Sequence, residues 1–414
     1  MRTNAIVRAV VLSSAALGLS LGAFALVFAQ DVGIDVGGGA GIFRAKNPET
    51  KKNANKPAAG TKPGTRTPGT AKPRPSAVAE RVEDLLDKGN TARDGRKFGE
   101  AEEAYKEVLK LKPRDARAAY GLGNVYSDQQ RWDDAEAAYR NSVAWAPTDA
   151  DAHIALSVVL VQPRVEGDNA KRLADAETFA RRSVQIDPKN AIGWDRLGVA
   201  LQARGLANSE TEHSYRRAIE LDPQFAAAYA HLARVLNRMG KPGDAAPLYQ
   251  KAIELAKDPA TLNLIAESLQ GEQLWPQSEP VLKRALELDS QNPTSLLLMG
   301  RLLIVYRRFQ EAEPFLKSAT EVSSRAFQPF NLLARAYLGM DRFSDAEATY
   351  ERASAFAGTG EKKQLAGLYG FEGVGDGYLK SNQKDKAVRA YQRALELDPN
   401  NSGAAQKLAK ARQN

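Results

Sequence analysis

The chain of 414 residues contains no cysteine, which excludes disulfides, thiolate metal sites, a thiol nucleophile and a lipid-modified N-terminal cysteine. Histidine is almost as scarce. His153, His213 and His231 are the only three, and none shares a stretch with a serine or carboxylate pattern from which a nucleophile, base and orienting group could be assembled. No catalytic, cofactor-binding or metal-binding residue can be named, and no cofactor is expected. From Asn47 to Ser76 the chain also lacks leucine, isoleucine, valine, methionine and every aromatic. Such a segment has nothing to bury against the entropy of ordering, and its alternating Pro, Lys, Thr and Gly predict a linker.

Net charge is short as well over most of the length. Of the net +8, Arg2, Arg8 and the stretch Gln30–Glu80, which carries nine basic and four acidic residues, supply +7, so the body from Arg81 is close to neutral. Phosphate binding needs clustered positive charge, and a nucleic-acid partner is disfavoured. The basic stretch is most simply a solvated run, with weak contact to an anionic envelope as its sharper reading. The Gly-rich piece "DVGIDVGGGAGIF" has no Gly-Lys-Ser/Thr and no helical pattern after it, and it is a poor nucleotide loop.

What is present begins with an export signal. Residues 1–29 have a basic start, an apolar or small run over Ala9–Ala29, and Val27 and Ala29 placed for a cut before Gln30. The competing reading is an uncleaved anchor, against which Ser13, Ser14, Gly18, Ser20 and Gly22 count. Residues 30–80 are the linker, expected to be mobile as far as Pro75, with helix starting close to Ala77–Glu80.

Beyond it the chain repeats itself. "YRRAIELDPQF" from Tyr215 and "YQRALELDPNN" from Tyr391 are near copies, and "LKRALELDSQN" from Leu282 is close. A small residue recurs at Gly89, Gly123, Ser157, Gly198, Ala233, Ala266, Gly300, Ala334 and Gly375, at spacings of 34, 34, 41, 35, 33, 34, 34 and 41. A second small residue follows in each block, as at Ala101, Ala135 and Ala387, and a large apolar one lies four further on, as at Tyr105, Tyr139, Leu282 and Tyr391. A period near 34 is the mark of a two-helix repeat. Small side chains let paired helices approach, the large ones fill the groove beside the contact, and proline after "ELD" closes the second helix. The third block departs, with Ala180 at the large position, Phe179 one place earlier, and about seven residues inserted between Leu160 and Ala176. A further insertion, "AFAGTGEKKQL", precedes the ninth block.

This frame resembles the tetratricopeptide repeat family from Val82 to about Asn401. The resemblance implies an all-α fold, a right-handed superhelical solenoid of antiparallel helix pairs with no strand. About nine repeats span 81–401, and a polar-faced capping helix covers 402–414. Paired acids such as Glu102/Glu103 and Asp133/Asp134 belong on solvated helix faces. The ninth repeat places Gly367, Gly370, Gly373, Gly375 and Gly377 in one expected helix. That predicts close contact along a small-residue stripe, with a hinge as the sharper alternative.

The family uses the concave face, lined by the first helix of each pair, to hold peptides. Residues three before, one after and four or five after the first small position point there. The resemblance assigns those places to Asn90 and Asn124, then to Arg234, Asn237, Arg238, Asn263, Arg301, Asn331 and Arg335. Leu86, Tyr120 and Ile154 stand where the family's carboxylate clamp wants polar groups, so the expected trough is in repeats five to eight. Asparagine can hold both backbone groups of an extended peptide and arginine binds carboxylates bidentately. The expected partner is therefore a protein or an extended peptide, acidic or C-terminal, and the expected function is a non-catalytic scaffold outside the cytoplasm, periplasmic or extracellular. The alternative is an accessory subunit of an envelope or polysaccharide machinery, anchored by the basic linker.

Overall fold

The computed structural model describes residues 45–50, 77–162 and 168–413. The expected signal segment, the rest of the linker and part of the insertion in the third repeat lie outside them. Helix begins at Ala77, within the expected range, and no strand occurs among the described residues. None of the described helices is long and apolar enough to cross a membrane.

The chain divides into two compact units between Leu248 and Tyr249. The first contains α1 (Ala77–Asp94), α2 (Phe98–Leu111), α3 (Ala116–Asp128), α4 (Trp132–Trp145), α5 (Ala150–Leu160), α6 (Asn169–Ile186), α7 (Ala191–Ala203), α8 (Ser209–Leu221) and α9 (Ala226–Arg238). Helix α10 (Pro242–Leu255) contains the division. The second unit continues with α11 (Pro259–Gly271), α12 (Trp275–Leu288), α13 (Pro293–Val305), α14 (Phe309–Val322), α15 (Phe327–Gly339) and α16 (Phe343–Ser354). It ends with α17 (Thr359–Ala366), α18 (Phe371–Lys380), α19 (Lys384–Leu397) and α20 (Ser402–Gln413). Inside each unit the helices pack as consecutive pairs: α1 on α2, α3 on α4, α5 on α6 and α7 on α8 in the first, α11 on α12, α13 on α14, α15 on α16 and α18 on α19 in the second.

Local chemistry sets the helix ends. Asp115 caps α3 by accepting from the amides of Arg117 and Ala118 at 3.0 and 3.2 Å, and Asp149 and Asn190 do the same for α5 and α7. The turn inside a pair needs one left-handed residue. Gly205 and Gly240 supply it without a Cβ penalty, while Gln130, Gln273, Arg307 and Asp341 adopt it with φ of 57–60° because the flanking helices hold them there.

Packing follows the small/large frame. A Cβ on Gly89 would lie 2.7 Å from the Tyr105 ring, and one on Gly123 would lie 2.5 Å from that of Tyr139. The same clash recurs between Gly198 and Tyr215, Gly300 and Leu316, and Gly375 and Tyr391. Each large side chain is essentially buried, so the absence of a side chain in one helix is what admits a ring from the next. In the third repeat Ala180 is buried at the large position, and Phe179 instead packs its ring on His153 at 5.9 Å. Outside the core, acids beside the second small position pair with the next repeat: Glu102 with Arg131 at 3.1 Å, Glu279 with Arg308 at 2.9 Å and Glu313 with Arg342 at 3.0 Å. These are exposed pairs and each contributes little by itself.

Two features differ from the sequence expectation. The ninth repeat's Gly-rich helix is not continuous. The insertion folds as α17, burying Leu365 and Ala366, and α18 starts only at Phe371. Gly367 and Gly370 bound the tight turn between them, closed by the Gly370 amide donating to the Gly367 carbonyl at 2.9 Å, and a Cβ on Gly370 would strike the Leu365 carbonyl. Gly375 and Gly377 stay helical and accept the rings of Tyr391 and Phe343. The second difference is at the other end. Part of the expected linker, Ala45–Thr50, lies against the first repeats with Ala45 and Pro48 buried. Hydrogen-bonding side chains on α1 and α3 hold it there, which a survey of apolar content cannot anticipate.

Candidate functional site

The site is built on α1 and α3, the first helices of the first two repeats. Asn90 and Asn124 each follow the small residue of the frame, and the buried tyrosine of the partner helix reaches both. Tyr105 Oη donates to Asn90 Oδ1 and Tyr139 Oη to Asn124 Oδ1, each at 2.8 Å. With the oxygen engaged below, the amide nitrogen faces outward. Asn124 Nδ2 donates to the Lys46 carbonyl at 2.7 Å and Asn90 Nδ2 to the Pro48 carbonyl at 3.0 Å. Because a carbonyl can only accept, the amide orientation is determined. Burial also pushes both tyrosine hydroxyls above their ordinary pKa, so each remains a donor.

Arg93 completes the core of the site. Its Nε and one terminal nitrogen clamp Asp128 at 2.8 and 3.1 Å, and its other terminal nitrogen donates to the Ala45 carbonyl at 2.7 Å and to Asn47 Oδ1 at 3.0 Å. The Arg93 side chain is 2% exposed and Asp128 is half-buried, and the bidentate pair fixes the guanidinium plane. Asn47 Nδ2 donates to Asp94 at 2.9 Å, which leaves both ends of that amide matched. Arg117, itself paired with Glu83 at 2.9 Å, donates to the Glu49 carbonyl at 3.2 Å. Burial pushes the Asp151 carboxyl above its ordinary value, with the positive charge of Lys46 opposing the shift. Four carbonyls of one extended segment are thus held by side chains. That is the chemistry of peptide main-chain binding.

Asn90 and Asn124 were singled out by position and the site brings them together. Arg93 stands four after Gly89, a place the same frame marks as groove-facing, so the signal for it was present. Nothing in the sequence pattern marks Arg117. Leu86, Tyr120 and Ile154 are buried, as are Asn263 and Asn331 at the same place of their repeats, so the position three before the small residue is packed where the sequence frame expected it to face the groove.

The other expected residues fall in separate units. Arg234, Asn237 and Arg238 lie on α9 in the first, with Arg234 and Asn237 half-buried and Arg238 exposed. In the second unit Asn263 is tied to the next repeat, donating to Asn292 at 3.0 Å and accepting from Ser295 at 2.8 Å. Arg301 donates to Gln270 Oε1 through Nε and a terminal nitrogen at 2.9 and 2.6 Å. Asn331 is buried. Arg335 stacks its guanidinium on the Tyr369 ring at 4.9 Å and lines a cleft of about 370 Å³ with Arg307, Asp376 and Lys380.

One histidine does have a carboxylate partner. His231 Nδ1 lies 2.7 Å from Asp195 Oδ1 in the neighbouring repeat, and Arg196 reaches the other Asp195 oxygen at 2.6 Å. Burial pushes the Asp195 carboxyl up, but Arg196 and His231 outweigh it and hold it below its ordinary value. Both His231 and Asp195 are buried, and the ring packs on Tyr215 at 5.3 Å. This is a structural cluster tying two repeats together. Among the described residues no group of histidines and acids could hold a metal ion.

Comparison with known proteins agrees with this architecture. Family models described as tetratricopeptide repeat match residues 86–152, 123–191, 214–246 and 370–401. Among solved structures, the MamA protein is 23% identical over 42% of this chain and 92% of its own, with a TM-score of 0.36. Cut9 and Hcn1 in the APC/C hetero-tetramer provide a match 15% identical over 81% of this chain and 62% of that chain, at 0.46. A thermophilic TPR protein of Thermus thermophilus is 22% identical over 46% of this chain and 99% of its own, at 0.39. No curated protein matches the chain.

Proposed function

The chain belongs to the tetratricopeptide repeat family, and from that premise we propose that it is a non-catalytic scaffold outside the cytoplasm, holding an extended peptide of a partner protein on its first-helix face. The observation that carries the reading is the set of hydrogen bonds from Arg93, Asn124, Asn90 and Arg117 to the carbonyls of Ala45, Lys46, Pro48 and Glu49. A site that binds main chain needs few specific side chains in its ligand, which suits a scaffold. Export is supported by the basic start and apolar run of residues 1–29. We assign the acidic or C-terminal partner to the second unit, where Arg307, Arg335 and Lys380 outnumber Asp341 and Asp376 in one cleft. The test is capture of partners from the envelope and culture-medium fractions with the full chain and with an Asn90→Ala, Asn124→Ala double variant. A partner retained by the first and lost by the second supports the scaffold. An envelope or polysaccharide enzyme captured equally by both would favour the accessory-subunit reading.

A further inference from the structure

The site on α1 and α3 already holds a peptide, and that peptide is part of the same chain. We infer that Ala45–Thr50 is an intramolecular strap occupying the peptide groove of the first two repeats, so that a partner reaches this groove only by displacing it. The inference rests on the peptide-binding reading above and adds how access to that site is regulated.

Three observations carry it. The segment is held along its main chain, with the carbonyls of Ala45, Lys46, Pro48 and Glu49 accepting from Arg93, Asn124, Asn90 and Arg117. The groups that hold it are fixed in place by the core beneath them. Asn124 is 0% exposed and Arg93 2%, and each is anchored from behind by Tyr139 or Asp128. The side chains are also matched. Ala45 is 5% exposed and Pro48 is buried. Asn47 is engaged at both ends of its amide. Proline favours extended backbone in the residue before it and carries no amide hydrogen needing a partner, so Asn47-Pro48 suits a groove lined mainly with donors. The ligand pattern is therefore a small residue, any residue, asparagine and proline, in extended form.

The consequence is competition. Residues 51–76 join the strap to α1 covalently, and a short connection gives an effective concentration on the order of millimolar. A partner peptide has to exceed that before it displaces the strap, and its apparent affinity falls in proportion to the fraction of chains in which the groove is open. The same tether lets one binding event remove the strap from the repeats and expose both surfaces together.

The experiment uses the full chain and a labelled synthetic peptide of residues 44–51, followed by fluorescence anisotropy. In the Ala45→Arg, Asn47→Ala variant the strap is unseated by bulk and by loss of its amide contacts, while α1–α20 are unchanged. The variant is expected to bind the peptide about ten-fold or more tighter than the parent, and adding Asn90→Ala and Asn124→Ala should remove that gain. Equal measurable affinity in the two chains overturns the strap and leaves the peptide-binding reading intact, whereas no binding to either chain overturns both.

Discussion

Tyr139 Oη lies 2.8 Å from Asn124 Oδ1, joining the core of the second repeat to the groove surface. The tyrosine is there because Gly123 leaves room for its ring. The asparagine is oriented because the tyrosine donates to it. A packing rule and a binding group are in this way parts of one arrangement, repeated by Tyr105 and Asn90 one repeat earlier. Tyr391 and Asp376 repeat it near the C-terminus with a carboxylate in place of the amide.

Removing that hydroxyl should affect stability and the strap together. Tyr139→Phe is expected to cost about 1 kcal/mol of unfolding free energy, the usual loss for one buried hydrogen bond. With Asn124 free to rotate, tryptic cleavage after Lys46 should accelerate roughly five-fold. Denaturant titration and timed proteolysis read the two effects. An unchanged cleavage rate would show that the tyrosine does not orient the amide.

The glycines of the frame should be intolerant of even one methyl group. Gly123→Ala places a Cβ against the Tyr139 ring and is expected to destabilise by about 1–3 kcal/mol, as overpacking does. Gly99→Ala is the control, since a Cβ there meets nothing within 4 Å. It should be neutral or stabilising by a few tenths of a kcal/mol, given roughly the alanine advantage in helices. Urea midpoints compared at constant slope decide between them.

The Asp195 cluster makes a pH prediction. A carboxyl held low in the folded state contributes stability above its unfolded value, near 3.9, and loses it as pH falls through the folded value. The parent should therefore lose stability as the solution is taken below about pH 4. Asp195→Asn should lack that part of the slope and be less stable at neutral pH by about 3–5 kcal/mol, because Arg196 is left buried without its carboxylate. Unfolding measured from pH 7 to pH 3 in both chains tests it. Parallel curves would mean that Asp195 titrates alike folded and unfolded.

In the second unit, Arg335→Ala and Arg301→Ala test the acidic-peptide proposal. Arg335 lines the cleft and should cost about 1.5–3 kcal/mol of affinity for a captured acidic partner, as a charge-assisted hydrogen bond does. Arg301, already spanning to Gln270, should cost less in binding and more in stability. Unchanged affinity for both, measured by calorimetry with an intact fold, would place the acidic partner elsewhere.

The fold was legible because its signals are local. A small residue in one helix and a large one in the next recur with a 34-residue period. The Gly123–Tyr139 and Gly375–Tyr391 contacts are the physical reason, since a ring can enter only where a side chain is missing. Asn90, Asn124 and the place of Arg93 followed from the same frame. The Gly-rich helix of the ninth repeat misled because glycine permits the turn at Gly367–Gly370 as readily as close helix packing, and a Cβ at Gly370 would strike the Leu365 carbonyl.

Other features required the folded chain. Asp195 and His231 come from different repeats, so the 2.7 Å contact between them exists only once the repeats stack. Arg301 faces an amide because of where Gln270 lies on the preceding repeat. Most of all, the sequence by itself determined the repeat and its paired helices, which depend on residues within one or two repeats. That Ala45–Thr50 would return across residues 51–76 to the groove was decided only by tertiary structure. Its attachment uses main-chain carbonyls, which every residue carries and no composition reveals, and donors on α1 and α3 that converge only after the first two repeats have packed.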